Sequence, residues 1–162
     1  MKALMRRSFG AGFSFGLTSG VITTLGLMVG LEASTGSRLA VIGGVLTIAV
    51  ADAFSDALGM HVSQESENKF SVREIWEATI MTFVAKFLFA MTFVVPIMFF
   101  SLTRAVEICI LWGLLILGLY SYYLARRERI PPSKVIGEHL IIALIVVILT
   151  HYIGNVIAIV FL

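Results

Sequence analysis

The chain has 162 residues, of which 59% are hydrophobic and 14% charged, with a mean hydropathy of +0.99. Soluble domains carry about 25% charged residues, so a water-exposed globular domain is excluded. The formal net charge of +2 is too small to point to a nucleic-acid partner, and the single cysteine, Cys109, excludes an internal disulfide and a cysteine-built metal cluster.

Crossing a bilayer takes about 20 apolar residues, and five stretches reach or approach that length. They run from about 9–31, 39–62, 78–102, 108–124 and 140–162. Each should be a helix, because a helix satisfies its own backbone polar groups in lipid. The expected fold is therefore an all-α integral membrane protein with five spans in one domain, residues 1–162.

The first stretch is free of charge and rich in small and hydroxyl residues, among them Gly16, Thr18, Ser19, Gly20, Thr23, Thr24, Gly26 and Gly30. The spacings Gly16-x-x-x-Gly20 and Gly26-x-x-x-Gly30 permit close helix approach. A cleaved signal peptide is the alternative for this segment, but the uncharged run exceeds an apolar region of about 7–15 residues.

The second stretch carries two carboxylates, Asp52 and Asp56, four residues apart and so on one helix face. One charge buried in hydrocarbon costs about 2.5–3.5 kcal/mol on insertion scales, so such residues mark an ion or proton pathway by default. Met60 extends the face by a further turn, with His61 beside it. Carboxylate, thioether and imidazole are all groups that can meet a cation. The competing reading is a buried polar pair that serves packing alone.

Between the second and third stretches lies a polar connector, in which Ser71 and Glu74 have the spacing of a capping box. The third stretch holds Lys86 and Pro96. Lys86 stands about ten residues in, roughly 15 Å from the start of its span. Asp52 stands at a similar depth on the preceding antiparallel span, so an Asp52–Lys86 ion pair is expected. Asp56 would then remain nearer the cytoplasm with Met60 and His61. In the last stretch His151 reads as a satisfied polar group of the core.

Basic residues fix a direction. Lys2, Arg6, Arg7, Lys69, Arg73, Arg126, Arg127, Arg129 and Lys134 fall on one side, against Arg38 and Arg104 on the other. The positive-inside rule then puts the N-terminus in the cytoplasm and the C-terminus outside. No nucleophilic triad, phosphate loop, CxxC or HExxH is present, so an enzyme is not expected.

The segments Phe15 to Gly30 (FGLTSGVITTLGLMVG) and Ser55 to Ser63 (SDALGMHVS) resemble the vacuolar iron transporter family, also called the yeast-type cross-complementer family. Its first span reads Asp-Gly, then a hydroxyl-rich turn, then spaced glycines. Its second reads Ser-Met-x-x-Gly-Glu-Tyr-x-Ser. The span count, Pro96 and Tyr152 to Gly154 also agree. In this chain Ser19 stands where the family has its first-span Asp, Asp56 where it has Met, and Met60 where it has Glu. The family's Glu-rich cytoplasmic metal-binding helices are missing.

The resemblance implies a homodimer that exports a divalent cation, Fe²⁺ or Mn²⁺, from the cytoplasm in exchange for protons. The cation is the transported substrate, and no cofactor is implied. Metal would meet Asp56, Met60 and Asp52. The proton path would use Asp52, Asp56, Ser19, Thr23 and His61, with membrane lipid as the surround. The host would be the plasma membrane of a prokaryote or a vacuolar-type membrane of a eukaryote. The alternatives are a non-transporting scaffold or accessory subunit, whose site Lys86 has closed, or a transporter of another solute.

Overall fold

The computed structural model describes the backbone of residues 2–161, with side chains from residue 7 onward. The side chains of Lys2 and Arg6, used for the charge asymmetry, and Leu162, the end of the fifth stretch, lie outside the described residues. The described chain is helical nearly throughout: α1 (Lys2–Thr35), α2 (Arg38–Ser66), α3 (Val72–Thr92), α4 (Val94–Phe99), α5 (Leu102–Glu128) and α6 (Pro132–Phe161). Counting α3 and α4 as one, five helical segments are long and apolar enough to cross a membrane.

The helices run further than the apolar stretches because polar residues cap them. Ser37 caps α2 by accepting from the Ala40 amide. Ser71 and Glu74 form the expected capping box: the Ser71 amide donates to the Glu74 carboxylate at 2.8 Å, and the Glu74 amide to the Ser71 hydroxyl at 3.4 Å. Two reciprocal bonds start α3 at Val72, before the apolar run begins. At the far end, α3 breaks at Phe93 and resumes as α4, three residues before Pro96, whose missing N–H leaves the preceding turn short of one bond. The Trp112 indole donates to the Thr92 hydroxyl there, tying the break to α5. Arg129 ends α5 in the left-handed conformation, φ 58°. Pro132 opens α6, a position that its fixed φ suits.

Helix α1 is the hub, touching α2, α3, α5 and α6. Half of its spanning window is buried, against 11% for α6. Leu17, Val21, Leu25 and Met28 form its contribution to the core, meeting Val41 and Val45 of α2, Phe93 and Ile97 of α3–α4, and Cys109 and Leu117 of α5. The glycines set how close these helices come. A Cβ on Gly16 would strike the Thr82 carbonyl of α3, and one on Gly154 of α6 would sit 2.5 Å from the Gly30 carbonyl. Both glycine pairs of α1 are thus consumed inside the chain, Gly16 and Gly20 against α3, Gly26 and Gly30 against α6.

Outside, large apolar side chains are left bare, including Phe54, Leu58, Leu119, Ile148 and Ile159, the last 83% exposed. An apolar surface of that extent belongs against lipid or a partner. His151, expected as a satisfied core group, is exposed on α6: the hydrophobic run around it faces outward, not into the bundle.

Candidate functional site

Lys86 is the largest side chain among those most fully buried, at 1% exposure. It is held by three groups. Its Nζ lies 2.5 Å from Asp52 Oδ2 and 2.5 Å from Asp56 Oδ2, and donates to Ser19 Oγ at 3.0 Å. Ser19 in turn donates to Asp56 Oδ2 at 2.6 Å. Lysine, serine and Asp56 therefore close a three-membered ring of hydrogen bonds.

The two carboxylates are not equivalent. Asp56 accepts hydrogen bonds from both Lys86 and Ser19. Asp52 Oδ2 is within ion-pairing distance of Nζ but off the directions a hydrogen bond needs, and has no hydrogen-bond partner. Two carboxylates facing one ammonium leave the cluster with one formal negative charge in excess.

Each helix brings its residue to the cluster at mid-length. Asp52 stands fourteen residues from either end of α2, Arg38 and Ser66. Lys86 stands fourteen residues after Val72, about 21 Å along the helix, and thirteen before Phe99, the end of the joined α3–α4 segment. Ser19 is close to the middle of α1 (Lys2–Thr35). Small residues let the three backbones meet: Ala49, Ala53 and Ala57 of α2 are buried beside the two aspartates. A Cβ on Gly20 of α1 would come within 3.0–3.2 Å of the backbone and Cγ of Lys86. The lysine is sealed from outside, whereas the carboxylate side chains keep 27% and 20% of their surface open.

The structure thus brings together Ser19, Asp52, Asp56 and Lys86. Asp56 does not remain apart from the lysine, as the sequence suggested. One turn of helix separates the two aspartates, so one long side chain at the intervening height reaches both. Of the other candidates, Thr23 spends its hydroxyl on the Ser19 carbonyl at 2.8 Å. Met60 is half-buried one turn beyond Asp56 and outside the hydrogen-bonded ring. His61 turns away to the groove between α2 and α3, where Nδ1 pairs with the Thr79 hydroxyl at 3.0 Å and the ring meets Trp76 edge-on. Among the described residues no set of three histidine, cysteine or acidic side chains is arranged to hold a metal ion.

Among the polar contacts that escaped the sequence reading are the Ser14–Tyr120 hydroxyl pair joining α1 to α5, and the Ser121–His139 pair at 2.7 Å joining α5 to α6. Neither has a local signal, since the partners are far apart in sequence or on different helices.

On α2, the residues Gly43, Thr47, Ala51, Ser55 and Gly59 repeat every four positions and are all exposed. This small-residue stripe runs directly beside the two aspartates. The chain matches no protein-family model, no curated protein and no solved structure.

Proposed function

We propose that the chain is a membrane-embedded cation–proton exchanger, with its N-terminus in the cytoplasm and its C-terminus outside, and that the Ser19–Asp52–Asp56–Lys86 cluster is its exchange site. One observation carries the reading: an ammonium and two carboxylates meet at the mid-length of helices long enough to span a bilayer. Groups this costly at the bilayer centre are kept for ion and proton movement.

The chemistry follows from competition. The Lys86 ammonium is a tethered cation already seated on the two carboxylates. A mobile cation can take those oxygens only when the ammonium releases a proton or withdraws. Bound cation and bound proton then exclude one another at the same site, so entry of one goes with release of the other, which is the requirement for exchange. The oxygen donors of Asp52, Asp56 and Ser19 suit a hard divalent ion of the Mn²⁺ type, and Fe²⁺ next. Met60, one turn along the same face, adds a soft donor on the approach to the site. The bare stripe on α2 beside the aspartates is the surface for a second copy, because small residues allow the close packing that drives helix association in lipid. The α1 glycines are already spent within the chain and do not serve this role.

The test is flux in liposomes loaded with a pH dye and a metal-sensitive dye. Mn²⁺ or Fe²⁺ entry should be accompanied by proton movement in the opposite direction, and Asp56→Asn should abolish both. Cation entry with no proton response rejects exchange. A second reading, a closed scaffold, is favoured by the burial of Lys86 in the cation's place. It requires that wild type move no divalent ion in the same assay.

A further inference from the structure

A cavity of about 790 Å³ opens between α1, α3 and α5, lined by Phe9, Phe13, Met81, Tyr120, Tyr123 and Arg127. It shares no residue with the lysine cluster. Its size lies within the range of about 300–1,000 Å³ of small-molecule sites. The back wall is built, not incidental. The Phe13 ring meets Tyr120 edge-on at 5.8 Å and Phe89 at 6.1 Å, and the Tyr120 hydroxyl is pinned by Ser14. Phe9 and Tyr123, both about half exposed, stand at the open side.

Arg127 supplies the charge. Its guanidinium packs over Gly10, where a Cβ would lie 3.4 Å from Nη1. Its ion pair with the adjacent Glu128 is long, 3.8 Å, and half exposed, so it holds the guanidinium weakly. Arg126, by contrast, is engaged over the Tyr122 ring, outside the cavity, 5.6 Å from its centroid. The same end of the bundle carries Arg7, Arg129 and Lys134.

We propose that this cavity binds an anionic phospholipid. The phosphate lies on Arg127 and the Tyr123 hydroxyl, and an acyl chain lies along Phe9, Phe13 and Met81. A deep apolar and aromatic wall with a single cation at its mouth matches an amphiphile with a negative head. A soluble anion would leave the wall unused, and a lipid without net charge would leave the guanidinium only its long, weak pair with Glu128. Basic pockets between spanning helices on the cytoplasmic side recognise anionic head groups in this way. The inference rests on the bilayer reading, though not on transport.

The full chain in detergent micelles is titrated with phosphatidylglycerol and with phosphatidylcholine of the same acyl chains, and bound lipid is counted by native mass spectrometry. Phosphatidylglycerol should be retained about tenfold more strongly. Arg127→Gln should lower its retention about tenfold, the loss of one charge-assisted contact. Arg126→Gln should leave retention within about twofold, and inorganic phosphate at about 10 mM should not displace the lipid. Equal retention of the two lipids overturns the proposal, as does an equal loss in both arginine variants, which marks diffuse attraction. Displacement by free phosphate overturns it in favour of a soluble anion. A chain that leaves the membrane fraction without detergent rejects the bilayer reading itself, a result distinct from all of these.

Discussion

Lys86→Met is the most informative single change. Methionine fills nearly the same volume, so the loss is electrostatic. The two carboxylates, held by one buried ammonium at 2.5 Å each, would then face one another without compensation. Breaking a buried ion pair by removing one partner costs about 3–5 kcal/mol. The carboxylates keep 27% and 20% of their surface open, so the lower part of that range applies. For a chain of this size each kcal/mol shifts Tm by about 2–4 °C, which gives a fall of order 10 °C. The asymmetry of the cluster sharpens the expectation. Asp52→Asn removes the excess negative charge and no hydrogen bond, so it should cost under about 1 kcal/mol. Asp56→Asn disturbs two charge-assisted hydrogen bonds and should cost about 1.5–3 kcal/mol. Lys86→Met with Asp52→Asn should recover only part of the loss, since Asp56 remains charged. Neutralising both aspartates should recover most of it. Thermal unfolding in detergent, read by tryptophan fluorescence from Trp76 and Trp112, measures all five variants against wild type. A Lys86→Met protein as stable as wild type, or a triple variant no better than Lys86→Met alone, would refute the reasoning.

Three further outcomes are expected. A reporter active only in the cytoplasm should be silent when fused after residue 161 and active when fused in the 67–71 connector; the reverse pattern rejects the proposed direction. Gly20→Leu should destabilise the monomer and lower its Tm in the same thermal-unfolding assay, because even a Cβ there meets Lys86 at 3.0–3.2 Å and overpacking costs about 1–3 kcal/mol. Ala51→Leu, on the exposed α2 stripe, should leave the monomer intact and weaken self-association in cross-linking or light scattering. A dimer untouched by Ala51→Leu removes α2 as the contact.

The five long apolar segments were legible because hydropathy is a property of each segment by itself. The capping box at Ser71 and Glu74 was legible for the same reason: both partners lie within four residues. Meeting points between helices were less so. Depth counting brought Lys86 level with Asp52, but counting along an axis says nothing of which way a side chain turns around it. The four-residue spacing of Asp52 and Asp56 already meant that a lysine reaching one could reach the other. Ser19 needed the third helix: only when Gly16 and Gly20 draw α1 onto α3 does its hydroxyl come to the ammonium. The same holds for the α1 glycines, whose spacing permits close approach and which meet α3 and α6 of their own chain. Small residues announce that something packs closely, without naming what.

The lysine that balances Asp52 and Asp56 lies thirty residues after Asp56, on the next helix. If the chain enters a bilayer as proposed, α2 emerges before its counter-ion does. Alone, it would carry two charges into hydrocarbon at about 2.5–3.5 kcal/mol each. The short connector between Ser66 and Val72 offers the remedy, because α2 and α3 can enter together as a helical hairpin with the charges already paired. Ser19 waits on α1, the helix made first, and closes the ring once the hairpin docks. On the bilayer reading, the cluster that sits at the centre of the finished molecule would thus also set the order in which the insertion machinery lets its helices go.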